Sequence, residues 1–534
     1  MPCGLRVCTA RSATGVEVRR FPPETGAREA KASGTTGRPP RDVRMSSPPW
    51  LSSGNLATHV RLRASLFGFA VLLATSGAQA GGLYTADRGV RPLGRGGAFV
   101  AGADDLGAIW YNPAGLADAG SSVLIDFSWL NFSSEYARST NVTTAGGTVQ
   151  TVDFPQVRGS TPFLPIPTIA GSYNFGNEKE FTAAFGVFAP YTAIASYPLT
   201  FDGQPSPSRY SLVSLEGSAL VVAGGYFAYK PVEQFRVGGG LQALVGNFNS
   251  TVVFSASPSD RLISAPEDPQ YDAFSQLKVG PIVAPSANFG MIAVPTENVR
   301  IGISGQLPFW VNAPAEVNVR LPTAAPFDRA RQVGNEANVR FRLPPVLRGG
   351  VEYRTDLGDE SRIRIEAAYV REFWSLHDSI DIRSENIKLY DITGFPSPFG
   401  VAPISLPRNF QDSNSFRLGT EYSLKNLIRD YWFDLRAGVS YETSAVPAAW
   451  VSPLTYDANK LIGSAGGSLH IGEHWRMDAV GSLVLLNGTT VAPEDAQVPR
   501  VNPVRGNPTK TEPVNGGEYS ARALILGVGL NYKF

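Results

Sequence analysis

The last fourteen residues, Ala521–Phe534, read ARALILGVGLNYKF. On an extended chain Leu524, Leu526, Val528, Leu530, Tyr532 and Phe534 share one face. Ala521, Ala523, Gly527, Gly529, Asn531 and Lys533 share the other, with Ile525 among them. Period two marks a β-strand, because successive side chains point to opposite faces. The same pattern recurs upstream. Ile363, Ile365, Ala367, Tyr369 and Phe373 oppose Arg362, Arg364, Glu366 and Glu372. Phe433, Leu435, Ala437, Val439 and Tyr441 oppose Asp434, Arg436, Ser440 and Glu442. In a soluble sandwich the apolar face is the inside; in a membrane barrel it is the outside, and the small and charged face lines the lumen. Alternation alone admits both.

Loop lengths separate the two. The pattern gives fourteen strands, starting near residues 121, 165, 181, 209, 233, 276, 297, 338, 360, 412, 430, 459, 474 and 518. Short turns at 176–180, 231–234, 295–298, 356–361, 424–430 and 472–474 alternate with long loops near 137–164, 198–208, 255–275, 319–337, 382–411, 444–458 and 489–517. Outer-membrane barrels have an even strand number, short periplasmic turns and long external loops. A soluble all-β protein has no reason to sort its loops so. The expected fold is therefore all-β, a 14-stranded antiparallel transmembrane barrel over residues 121–534. A C-terminal aromatic on the outward face, Phe534, resembles the signal read by the barrel assembly machinery.

Composition agrees. Of 534 residues 17% are charged and 10% aromatic, where about 25% charged is usual for soluble domains. The net charge of +1 hides a basic N-terminus: residues 1–80 carry 11 Lys/Arg against 4 Asp/Glu, so the remainder is acidic by six. No basic cluster suggests nucleic acid. The two cysteines, Cys3 and Cys8, precede the barrel, which excludes cysteine-based zinc sites and thiol nucleophiles there. Four histidines (His59, His377, His470, His474) lack a neighbouring nucleophile motif, so neither an enzyme nor a cofactor is expected. Residues 61–80 hold Arg-Leu-Arg, an apolar run from Ala64 to Ala74, and Ala78-Gln79-Ala80, the order of a secretory signal. The run is too short for a membrane helix, which needs about 20 residues. The expected organisation is a leader or mis-assigned start (1–44), a signal peptide (45–80), a plug (81–120) and the barrel.

Residues 83–120, LYTADRGVRPLGRGGAFVAGADDLGAIWYNPAGLADAG, do not alternate. Gly94-Arg95-Gly96-Gly97 lacks the Lys-Ser/Thr ending of a phosphate loop. Leu93–Ala98, Ala103–Asp105 and Asn112-Pro113-Ala114 together resemble the N-terminal hatch of the FadL/TodX family of outer-membrane hydrophobe transporters. The likeness continues through Leu343–Tyr353, Trp374-Ser375-Leu376, Arg436–Tyr441 with Val446-Pro447, and Phe188-Ala189-Pro190-Tyr191-Thr192, near the family's kinked third strand. It departs at Tyr456-Asp457-Ala458-Asn459, where the family has Pro-Asp-x-Asp/Asn.

The resemblance implies a monomeric outer-membrane barrel importing long-chain fatty acids or similar hydrophobes. An aromatic-hydrocarbon importer of the same fold is the alternative, and a polar-solute porin the lesser one. Burying sixteen carbons at about 0.8 kcal/mol each gains roughly 12 kcal/mol. The expected parts are a hatch at Gly94, Gly96, Asn112, Pro113 and Ala114, and a lateral exit into lipid at Ala189, Pro190 and Tyr191. Capture is expected on loop residues Phe163, Leu164, Phe395, Phe399 and Ile404. The candidate partners for a ligand carboxylate are Arg348, Arg417 and Arg436; the competing role for such arginines is an ion-pair ladder within the lumen.

Overall fold

Strand 14 (Gly517–Lys533) pairs with strand 1 (Ser122–Thr143) from Ser122↔Lys533 to Arg138↔Gly517, closing the sheet on itself. The computed structural model describes residues 87–143, 146–161, 165–191, 195–257, 267–428, 431–504 and 513–534. The expected leader and signal, and the loop residues Phe163 and Leu164, lie outside the described residues.

Between the closing strands run strand 2 (Pro165–Phe175), strand 3 (Phe181–Tyr191), strand 4 (Ala219–Val232), strand 5 (Phe235–Ser255) and strand 6 (Asp272–Thr296). Strand 7 is Val299–Gln306 continued by Phe309–Arg320, and strand 8 is Glu336–Leu343 continued by Val346–Asp356. Strand 9 (Ser361–Glu372), strand 10 (Ser413–Ile428), strand 11 (Tyr431–Glu442), strand 12 (Lys460–Ile471) and strand 13 (Trp475–Leu486) complete the ring. Every neighbour pair is antiparallel. The fourteen strands and the alternation of short turns with long loops match the sequence pattern.

One boundary differs. Strand 4 begins at Ala219, ten residues after the expected start. Residues 209–212 alternate in polarity, yet Ser211 N and Leu212 N both donate to Ser208 O, closing a turn. Arg209 Nε and the Tyr210 hydroxyl bind Asp272 at 2.8 and 2.7 Å, so the segment folds inward as loop.

The outward face is apolar, as the strand pattern requires of a barrel in lipid. Leu524, Leu526, Val528 and Leu530 are exposed, while Ala523 and Ile525 are buried. Aromatic rings gather at the short-turn end. Phe175, Phe181, Phe227 and Tyr229 pack ring on ring, stacked or tilted, at centroid separations of 4.8–6.4 Å. Trp475, Tyr532 and Phe534 meet tilted and edge to face at 4.6 and 5.0 Å. Such girdles sit at the membrane interface, where an amphipathic ring is half wet.

Candidate functional site

Residues 87–120 fill the lumen. Their glycines and prolines permit only short pieces: a helix at Val90–Gly94, another at Ala108–Tyr111 and a 3-10 turn at Pro113–Asp118. Small residues let this plug lie directly against the wall. A Cβ at Gly290 would stand 1.9 Å from Asn112 Oδ1, and one at Gly438 would stand 2.2 Å from the carbonyl carbon of Arg95. Asn112 anchors the turn. Its amide donates to Val100 O (2.9 Å) within the plug and to Met291 O (3.1 Å) in strand 6, while its Oδ1 accepts from Ala114 N (3.2 Å). Pro113 follows at the first position of the turn, where a missing N–H costs nothing. Gly94 packs on Arg436, and Gly96 adopts φ +62 against the strand 11 backbone.

Charge then locks plug to wall. Glu366 of strand 9 accepts the backbone N–H groups of Val100 (2.6 Å), Ala101 (2.8 Å) and Gly102 (2.9 Å). Arg95 bridges Glu352 and Glu366 at 2.8 and 3.2 Å. Arg91 binds Asp104, Asp105 and Glu421. Arg364 returns from the wall to Asp104 at 2.7 Å, and Arg476 reaches Asp105 at 2.8 Å. Asp118 takes Arg236 and Arg300 from strands 5 and 7. These charges are buried and multiply paired, the arrangement in which removing one partner is costly.

Above the plug the lumen is apolar. One buried cluster joins Leu106, Ile109 and Trp110 of the plug to Phe188 of strand 3. It continues through wall residues Val222, Leu244, Ile282, Phe309 and Val311 to Trp374, with Ile404, Leu406 and Phe410 of the strand 9–10 loop packed against it. Phe395 and Phe399 meet edge to face at 5.6 Å, half-buried, and pack in a separate cluster with Phe327, Leu389 and Ile392. His377 sits in the same loop, between Trp374 and Phe410. Burial, and then the Arg408 guanidinium, push its imidazole down to about 4.

Strand 3 is irregular where its likeness to the family lies. Its ladder with strand 2 stops at Thr168↔Phe188, and its register with strand 4 slips between Phe188 and Tyr191. Ala189 and Pro190 are the slipped residues, and both are buried. Pro190 offers no N–H to a ladder. Its carbonyl accepts from Arg88 Nη2 of the plug at 2.8 Å. Asp87, one residue before, binds Arg417 and accepts from the Tyr111 hydroxyl.

The three arginines singled out in the sequence have different surroundings. Arg417 holds Asp87 and the Gly97 carbonyl. Arg436 holds Glu421, Asp434 and Asp478. Arg348 lies 5.0 Å over the Trp110 ring, at the edge of the apolar cluster. Sequence reading missed Arg88, Arg91, Arg95 and Asp118. All four stand in a stretch without periodicity, and their partners are up to 330 residues away. The departing motif residues turn out to cap a loop: Asp457 binds Ala445 N and Lys460, and Asn459 binds Ser444 N.

Known structures share this architecture. A Pseudomonas aeruginosa FadL homologue matches with a TM-score of 0.63 at 14% identity, covering 85% of this chain and all of its own. The toluene transporter TodX of P. putida matches at 0.56 and 14%, covering 84% and 99%. The toluene transporter TbuX of Ralstonia pickettii matches at 0.52 and 17%, again over 84% and 99%. No curated protein sequence matches the chain. The profile of one protein family, described as outer membrane protein transport protein (OMPP1/FadL/TodX), matches residues 71–534, and the chain belongs to that outer-membrane family.

Proposed function

We propose that the chain imports long-chain fatty acids or similar hydrophobic compounds, taking them from external loops through the apolar lumen and releasing them sideways at strand 3. The observation that carries this reading is the buried apolar cluster. It runs from loop residues Ile404 and Phe410 to Trp110 of the plug and Phe188 beside the strand 3 slip. A polar solute gains nothing there, whereas an acyl chain gains about 0.8 kcal/mol per methylene. Sideways release leaves the chain in apolar surroundings throughout.

In this reading Phe395, Phe399 and Ile404 form the capture surface, together with Phe163 and Leu164 from the stretch that precedes strand 2. Arg348 meets the ligand carboxylate, because it lies over Trp110 at the border of the apolar cluster that would hold the acyl chain. The plug gates the exit through Arg88, whose bond to Pro190 O ties it to the slipped strand. Ligand arrival shifts the plug, breaks this bond and frees the passage between strands 2 and 3. Phe534, exposed at the chain end, engages the assembly machinery on the way to the membrane.

The test is uptake of labelled oleate and labelled toluene by cells lacking their own transporter. An Ala114→Cys/Ile292→Cys pair, from residues that pack together, should stop uptake when oxidised and restore it when reduced. Unchanged uptake in the oxidised protein would remove plug movement from the mechanism. Toluene uptake without oleate uptake would assign the aromatic reading, which the rings of Trp110, Phe188, Phe309 and Trp374 also suit.

A further inference from the structure

The ladder between strands 6 and 7 is interrupted part-way along its length. It is intact from Phe274↔Arg320 to Val279↔Ala315 and again from Asn288↔Gln306. Eight residues lie between the flanking rungs on either strand, so neither strand has an insertion. Between them no residues of the two strands are in register, and Leu307 N→Ala287 O (2.9 Å) and Ser286 Oγ→Leu307 O (2.7 Å) join the strands at the lower end.

Side-chain phase explains the interruption. Strand 6 changes phase at Gly280-Pro281, where its register with strand 5 also shifts. Above that point Val279 is buried and Gln276 and Lys278 are exposed; below it Val283, Phe289 and Met291 are exposed. Strand 7 changes phase lower down, at Leu307-Pro308. Ile301, Ile303 and Leu307 are exposed below, and Trp310, Asn312 and Pro314 above. Strand 8 slips together with strand 7, since Gln306↔Val346 and Phe309↔Leu343 leave only Pro344-Pro345 unpaired. Between the two offset slips the register sets Val283, 69% exposed, opposite Val311, 3% exposed. Facing residues in a ladder must share a side, so a one-residue difference in phase forbids pairing. Pro281, Pro285, Pro308 and Pro314 all lie in this stretch and carry no N–H.

Both sides of the seam are apolar. Ile282, Ala284, Phe309, Val311 and Ala313 face inward and belong to the cluster that reaches Trp110 and Phe188. Leu241, Val283, Leu307 and Trp310 face outward. The seam starts nine residues above the end of strand 6 at Thr296. A strand of about 9–11 residues crosses the hydrocarbon, so the seam stands at its external edge, and Trp310 fits the interfacial ring there. Parting two strands in lipid normally breaks ladder bonds that nothing replaces. Here the paired ladder is already interrupted.

We propose that this seam is a second lateral port, taking single-chain amphiphiles from the outer leaflet tail-first between strands 6 and 7 into the apolar lumen. The inference rests on the hydrophobe-import reading above. The amphiphile's head stays at the interface beside Trp310 while its tail passes Ala284 and Phe309.

The test uses full-length protein in lipid nanodiscs, with Cys3 and Cys8 replaced by serine, and diazirine-tagged palmitate either preloaded in the bilayer or added in water. Photolabelling is mapped on Phe309 and Leu244. Bilayer-loaded probe should label both in the parent protein. With Ala284→Cys and Val311→Cys oxidised across the seam, labelling should fall severalfold and recover on reduction. Ala284→Phe, which fills the inner lip without a crosslink, should reproduce the loss. Bilayer-derived labelling that is absent in the parent, or unchanged in both variants, overturns the port. Water-added probe separates the two proposals: its failure to label the lumen of the parent counts against import itself, whereas normal labelling in sealed variants leaves import standing.

Discussion

Glu366→Gln should loosen the plug without disturbing the barrel. One oxygen of Glu366 accepts Val100 N and Ala101 N, and the other accepts Gly102 N and Arg95 Nη2. Glutamine keeps one acceptor oxygen. Its NH₂ then faces two donors, so two bonds to a charged acceptor are lost. At about 1.5–3 kcal/mol each, the loss is about 3–6 kcal/mol. Glu352 lies directly across the ladder from Glu366, and removing that like charge returns part of it. A net cost of about 3 kcal/mol is roughly a hundredfold shift towards an unseated plug. The bond lies between plug and lumen, not between strands, so the fold itself should stay intact. Single-channel recording in planar bilayers reads the effect directly: the parent should stay closed to ions, and the variant should show frequent openings. A variant as closed as the parent, with an unchanged heat-modifiability midpoint, would refute the view that this carboxylate holds the plug.

Gly290→Ala should be far more harmful than an alanine on the outward face. The added methyl meets Asn112 Oδ1 at 1.9 Å, and Asn112 cannot withdraw without losing its bonds to Val100 and Met291. Overpacking of this kind costs about 1–3 kcal/mol, visible as a lower heat-modifiability midpoint. Arg348→Gln should raise the KM for oleate uptake and leave toluene uptake unaffected; equal effects on both would remove Arg348 as a carboxylate partner. For His377 the folded pKa is depressed to about 4 from 6.5. Its neutral buried form therefore contributes fully above pH 6.5 and is lost as pH falls towards 4, worth about 3 kcal/mol. Hydrogen exchange in residues 374–410 should accelerate over that window, and His377→Asn should flatten the response.

How much of this was legible follows from where each feature's cause lies. Alternation in Leu524–Phe534 or Phe433–Tyr441 depends on adjacent residues alone. It gave strands, their outward face and, with loop lengths, the number fourteen. Misreading occurred at residues 209–212, where alternation is present but Arg209 and Tyr210 are drawn inward by Asp272. The plug was visible as a stretch with no period, and Gly94, Gly96 and Asn112 stand against the wall in it.

What the sequence by itself determined is thus an outer-membrane barrel with a small-residue segment before its first strand. Side-chain period, turn chemistry and the sorting of loops are local and need no long-range contact. Only the tertiary structure decided which charges meet. Glu366 finds the backbone of Val100–Gly102 more than 260 residues away, and Arg88 finds Pro190 across the lumen. The seam belongs to the same class. Gly280-Pro281 and Leu307-Pro308 each look like an ordinary strand irregularity. Their consequence depends on register between two strands, which is set when the sheet closes on itself, not by either strand alone.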